Sequence, residues 1–198
     1  MPVYLADSQP ARFPLGAIHA MIDVVYYVAS SLDGYIATAD GRVDWLSRFH
    51  TPGEYHGAGE LQASADALLL RSHTYKFAVN LGHWPSPEKL TWVFTRRDLP
   101  VLHPSITLTA QIPRKVINVL ASRGLCRAWL MGGGKLASSF HAEQLISRYI
   151  ISVFPVLLGA GIPLFAPHLS PPDELQFRTA KQFESGIVVL TYDRAQTA

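Results

Sequence analysis

The residues best suited to chemistry sit where short apolar runs end. Residues 128–131 lead into Gly132-Gly133-Gly134 and then Lys135-Leu136. Three glycines let the backbone approach a ligand and expose its N–H groups. A helix starting there adds unpaired N–H groups and a positive dipole end, both suited to a phosphate. Lys135 adds charge. The same residues also suit a plain glycine turn. Neither the G-x-x-x-x-G-K-[ST] nor the G-x-G-x-x-G spacing is present. Thr95-Arg96-Arg97 leaves a second apolar run. Two arginines beyond the carboxyl end of a strand fit a phosphate monoester, or else form a solvated charge pair. Asp33 lies in Ser31-Leu32-Asp33-Gly34, where it serves an Asx-type turn or faces a ligand.

Other chemistries lack their residues. The eight histidines form no H-x-x-x-H or H-E-x-x-H, and a single cysteine forms no C-x-x-C. His73, beside a helix start, is the one histidine to single out, and a surface role is the simpler reading. There is no G-x-S-x-G elbow for a serine hydrolase.

The elements that must position these residues follow from apolar patterning. Residues 22–29 (IDVVYYVA), 66–70, 90–95, 105–109, 127–131 and 145–155 read as strands, and 35–37 as a short continuation of the first. Helices are expected over 54–65, 72–79 with Ser72 as cap, 113–123 with Pro113 in the first turn, and 135–143. Residues 174–183 and 186–192 read as a closing hairpin. Strands alternating with helices, followed by paired strands, imply a mostly parallel central sheet with an antiparallel C-terminal edge.

Composition narrows the class. The chain has 198 residues, enough for one domain over 21–198 after an extension at 1–20 that is expected to be poorly ordered. Seventeen basic and fifteen acidic residues leave a formal charge of +2, too little to steer the chain to nucleic acid or an anionic membrane. Cys126, in an apolar stretch, reads as a small buried hydrophobe. With no secretory signal visible, a cytoplasmic protein is the expectation. Residues 149–172 carry no Asp, Glu, Lys or Arg. Pro155, Pro163 and the glycines between them break any helix there, so the run reads as a buried strand, a glycine loop and a segment returning to the core.

In order, S-L-D-G-Y-I-A (31–37), A-D-A-L-L-L-x-x-x-T-Y (65–75), V-F-T-R-R (93–97), G-G-G-K-L (132–136) and P-V-L-L-G-A-G-I-P-L-F (155–165) resemble the dihydrofolate reductase-like proteins. Within them the chain is similar to the group sharing the reductase domain of the bifunctional riboflavin-biosynthesis deaminase–reductase. The resemblance covers nearly the whole chain. It implies a three-layer α/β sandwich with helices on both faces of the sheet, a homodimer, and an NADPH site. Carried over, Ala29, Ile36 and Ala37 would flank the nicotinamide. Ser72 and Thr74 would lie at the cofactor phosphates, with Gly132, Gly133, Gly134, Lys135 and Leu136 around the pyrophosphate. Thr95, Arg96 and Arg97 would hold the adenosine 2′-phosphate. Asp33 would polarise or orient the substrate, beside Trp45 and Tyr55, with Glu54 and His56 at the pocket wall.

The implied activity is hydride transfer to a small heterocyclic (pteridine- or pyrimidine-like) or carbonyl substrate. Two departures stand out. Arg71-Ser72 replaces the family's Gly-Arg, and Arg71, one position early, is expected to point away from the phosphates. Met131 stands where riboflavin-pathway reductases tend to carry Glu. The alternative reading is a non-catalytic dimeric binding protein with a degenerate cofactor site.

Overall fold

The computed structural model describes residues 22–49, 56, 58–167 and 172–195. The extension at 1–20, together with Glu54 and Tyr55, lies outside the described residues. The strands are β1 (Asp23–Ser31), β2 (Tyr35–Ala37), β3 (Ala67–Arg71), β4 (Leu90–Phe94), β5 (Ile106–Thr109), β6 (Arg127–Leu130), β7 (Arg148–Phe154), β8 (Ile162–Pro163), β9 (Leu175–Gln182) and β10 (Val188–Arg194). The helices are α1 (Ala58–Ser64), α2 (Ser72–Leu81), α3 (Pro113–Ser122) and α4 (Gly134–Ala142), with a short 3-10 helix at Asp44–Phe49.

Eight strands form one sheet in the order β5-β4-β3-β6-β1-β7-β10-β9. The six from β5 to β7 are parallel, while β10 runs antiparallel to both β7 and β9. The central strands are apolar on both faces because helices cover both. Val24, Tyr26, Leu69 and Leu130 pack with α3 and α4 through Leu120, Leu136 and Phe140. Val25, Tyr27, Leu68, Leu70 and Trp129 pack with α1 and α2 through Leu61 and Tyr75. The expected mostly parallel three-layer architecture with an antiparallel C-terminal edge is therefore the observed one.

Helix α3 has Pro113 in its first turn, and Gly124 just beyond it takes the left-handed conformation (φ +74°). Up to residue 167 the uncharged run resolves as expected, into β7, a glycine loop and β8, which pairs with β2. No helix among the described residues is long and apolar enough to cross a membrane.

Two expectations fail. Cys126 is exposed, because it precedes β6 at the rim, where its backbone N–H donates to the Asp66 carboxylate. Ser72 does not cap α2. Arg71 holds the cap position and Ser72 is the first helical residue, with no side-chain cap bond formed.

Candidate functional site

Strand order decides which loops meet. The carboxyl ends of β4, β3, β6 and β1 lie side by side on one edge, because these four neighbours are parallel. Thr95-Arg96-Arg97, Ser72 to Thr74, Gly132 to Leu136 and the turn into β2 are thus gathered there. Between β3 and β6 the connections diverge. β3 continues through α2 on one face toward β4, and β6 continues through α4 on the other face toward β7. A crevice at such a switch point is where open α/β sheets bind ligands.

The glycine turn fills that crevice's floor. Gly132 and Gly133 take φ +108° and +88°, which L side chains rarely adopt. Gly134 is required for space rather than conformation. A Cβ there would sit 2.1 Å from the Pro163 carbonyl oxygen. Helices α2 and α4 both start at this edge with no side-chain cap bond, which leaves first-turn N–H groups without a side-chain acceptor among the described residues.

Arg71 does not turn away from this place. A Cβ built on Gly133 would lie 3.2 Å from Arg71 Cβ and 3.6 Å from its Cδ, so the arginine stem runs alongside the glycine turn. Position along the chain alone puts Arg71 out of register with the phosphates. The neighbouring strand's glycines were the signal for close approach. His73 is also drawn in, its Nε2 lying 3.2 Å from the Gly41 carbonyl oxygen and linking the loop after β2 to the first turn of α2.

At the β4 exit, the Thr95 hydroxyl accepts from the Arg97 N–H at 2.9 Å, fixing the turn that carries Arg96 and Arg97. Both arginines are exposed and make no ion pair among the described residues.

The turn after β1 is held from below. Asp33 accepts from the Ser31 hydroxyl at 2.6 Å and from the Gly159 and Leu158 amides at 2.7 and 3.1 Å. Leu32 N–H donates to the Val156 carbonyl, and Leu164 N–H to that of Gly34. Gly161 passes so close to Ala37 that a Cβ would meet its carbonyl oxygen at 2.2 Å. Tyr26 donates its hydroxyl to the Leu164 carbonyl. The first and fifth sequence motifs are therefore two halves of one brace, which places Ile36 and Ala37 beside the start of α4. The Ser31 hydrogen bond, with the two amides, holds the Asp33 carboxyl below the usual carboxylate range.

Ala29, near the end of β1, packs against a second aromatic cluster. Trp45, on the 3-10 helix, is 9% exposed there, edge-on to Phe154 at 5.5 Å, and its indole N–H has no partner among the described residues. A half-open cleft of about 230 Å³ lies beside it, lined by Thr38, Arg42, Asp44, Trp45 and Arg48. His56 packs on Phe154 and Phe183, whereas Tyr55 lies outside the described residues. No group of His, Cys, Asp and Glu able to hold a metal occurs among the described residues.

The parallel sheet, the doubly covered core and the glycine-lined switch point define a dihydrofolate reductase-like α/β domain. The family model described as the RibD C-terminal domain matches residues 84–189, and the chain belongs to that family. It is similar to YwjB of Bacillus subtilis (strain 168), with 34% identity over 86% of this chain and 97% of YwjB. Among solved structures, the putative riboflavin biosynthesis protein of Shewanella sp. PV-4 superposes with a TM-score of 0.78 at 26% identity, over 88% of this chain and all of that one. A diaminohydroxyphosphoribosylaminopyrimidine deaminase/5-amino-6-(5-phosphoribosylamino)uracil reductase of Thermotoga maritima shares the fold, with a TM-score of 0.67 at 15% identity, over 88% of this chain and 57% of that one.

Proposed function

We propose that this chain is a cytoplasmic NADPH-dependent reductase acting on a small heterocyclic (pteridine- or pyrimidine-like) or carbonyl substrate. The observation that carries this reading is the crevice between β3 and β6. There two helices begin without side-chain caps, around a turn whose glycines leave the backbone bare. That donor set fits a diphosphate. Beside it, on the next strand exit, two arginines that make no ion pair among the described residues suit the 2′-phosphate that separates NADPH from NADH.

NADPH, when bound, supplies a hydride from its nicotinamide ring. The chain's residues do the rest by placement. Gly132 to Leu136, with Ser72 and Thr74, hold the diphosphate. Thr95, Arg96 and Arg97 hold the 2′-phosphate. Ala29, Ile36 and Ala37 wall the nicotinamide. Trp45 and Tyr55 stand on the substrate side. Asp33 is a positioning residue. Its carboxylate stays ionised at neutral pH and is engaged by Ser31, Leu158 and Gly159, so it orients the two loops and leaves proton delivery to water.

A second copy of the chain is the partner we propose. It is supported by β9, in which Leu175 and Phe177 remain 38% and 56% exposed, and sedimentation at two concentrations tests it.

Titration calorimetry with NADPH and NADH tests the cofactor reading. The expected result is NADPH binding in the range of about 1–100 μM, with NADH weaker. No heat, and no rise in unfolding temperature at about 1 mM NADPH, would sink it, since a ligand of the native state must stabilise it.

A further inference from the structure

Tyr26 stands where the core asks for an apolar side chain. It lies within β1, fully buried, in one cluster with Val24, Leu69, Leu130 and Phe140. A phenol there must find an acceptor, because a buried hydroxyl left without one is costly. The Leu164 carbonyl, distant in the chain, accepts from it at 2.9 Å. Burial raises the phenol well above its ordinary range, so the hydroxyl stays protonated and donating throughout the neutral range. The next residue of the same segment, Phe165, packs edge-on against the Tyr26 ring at 5.4 Å.

The segment pinned in this way reaches two other elements. Ile162 and Pro163 pair with Ala37 and Tyr35 of β2. The Leu164 N–H donates to the Gly34 carbonyl at 2.9 Å. Farther along, the Ala166 N–H donates to the Gly134 carbonyl at 3.3 Å, and the Ala166 carbonyl accepts from the Ser138 hydroxyl at 3.0 Å. One short strap therefore runs from β2 to α4. These two elements follow different strands, β1 and β6, which are parallel neighbours. The Tyr26 hydrogen bond ties the strap between them to the sheet itself.

We propose that Tyr26 is a positioning residue for the cofactor. Through the strap it fixes the separation between Ile36 and Ala37, at the nicotinamide, and Gly134, at the diphosphate. This rests on the cofactor reading above. A ligand that touches both ends gains fully from the second contact only where the ends are already held at its own span. A fragment that touches one end gains nothing from that spacing. The role is therefore visible as a difference between NADPH and 2′-phospho-ADP-ribose, which keeps both phosphate groups and lacks the nicotinamide ring.

Tyr26→Phe keeps the ring against Phe165 and removes the hydrogen bond. Ser138→Ala loosens the strap at its α4 end. Ser147→Ala is the control, since its hydroxyl bonds Asp23 and the Val24 carbonyl at the opposite end of the sheet. Each protein is titrated calorimetrically with both ligands, and its unfolding temperature is recorded without ligand. Tyr26→Phe is expected to weaken NADPH about 3–10-fold, the range of one hydrogen bond between neutral groups, and the fragment by less than about twofold. Ser138→Ala shifts the ratio of the two affinities the same way. Ser147→Ala lowers the unfolding temperature and leaves that ratio unchanged, which separates positioning from a general loss of stability.

A Tyr26→Phe protein that binds NADPH as the wild type does, or that loses NADPH and the fragment by one factor, overturns the proposal and leaves the cofactor reading standing. A ratio shift in Ser147→Ala equal to that in Tyr26→Phe, or none in Ser138→Ala, does the same. If the wild type binds neither ligand, the cofactor reading itself fails, and hydrogen exchange at the Leu164 and Ala166 amides decides what Tyr26 does. Faster exchange there in Tyr26→Phe, with β6 unchanged, upholds a strap held from the core. Equal rates end it.

Discussion

Gly134 and Gly82 are both glycines at helix ends, and the structure separates their reasons. At Gly82 a Cβ would meet nothing within 4 Å, so only the left-handed backbone (φ +73°) disfavours a side chain. Gly82→Ala should cost about 1–2 kcal/mol in urea unfolding, the penalty for that conformation, with no effect on nucleotide affinity. Gly134→Ala must displace the Pro163 carbonyl, and about 1–3 kcal/mol of overpacking is expected. Because Gly134 opens α4 at the crevice, the same change should also weaken NADPH in a calorimetric titration. Asp33→Asn keeps one acceptor oxygen and loses the charge that holds Ser31, Leu158 and Gly159. The wild-type carboxyl has a lowered pKa in the fold, so its contribution is complete above the ordinary carboxylate range and is lost as pH falls through the lower, folded value. Unfolding curves between about pH 2 and 7 should therefore show an acid-side loss of stability in the wild type that is smaller in Asp33→Asn.

At this scale much of the site was legible. Glycines and arginines at strand ends are visible in the sequence, and the strand order sets them on one edge. Trp45 and Arg71 were harder, because their surroundings are made by residues distant in sequence, Phe154 for one and Gly133 for the other. Cys126 was misread for the same reason. Apolar neighbours in sequence say little about a residue at the rim of a sheet.

Helices and strands were legible in proportion to their length and periodicity. β1, with its β-branched and aromatic run, and α3, with its proline start and glycine stop, needed no tertiary information. The 3-10 helix at Asp44–Phe49 left no periodic trace, and β8 is only two residues long, one of them proline. It exists as a strand because β2 lies beside it.

β9 is the weakest element by construction. All eight of its residues are exposed, and its one strand neighbour is β10. At dilutions where the chain is a monomer, hydrogen exchange should report its amides opening well before those of β1 or β6, whose side chains are buried on both faces. Asp193 on β10 ties β9 and β7 together, accepting from Arg148 at 2.7 Å and from Arg178 at 2.6 Å. Arg148 first, and then Arg178, hold its carboxyl below the usual range. The lowered folded value makes this tie complete above about pH 4, and acid removes it. Asp193→Asn should cost about 1 kcal/mol at neutral pH, modest because both arginines are part-exposed, and should raise exchange in β9 more than in β1.

For the whole molecule, the topology and the functional reading depend on the same feature. β6 inserts between β3 and β1, which turns the connections of β3 and β6 in opposite directions and opens the crevice. The segment from Gly161 to Ala166 then locks the β1–β2 turn onto α4, so the nicotinamide and diphosphate halves of the proposed site are braced as one unit. Family membership and the shared fold leave the substrate open.

The central claim is that the edge formed by β4, β3, β6 and β1 is an NADPH site. A crystal structure of the protein with NADPH tests it most directly. The account predicts the 2′-phosphate at Thr95 to Arg97, the diphosphate at the Gly132–Gly134 turn, and the nicotinamide against Ala29, Ile36 and Ala37. A cofactor bound elsewhere, or crystals grown in saturating NADPH with that edge holding no nucleotide, would contradict it.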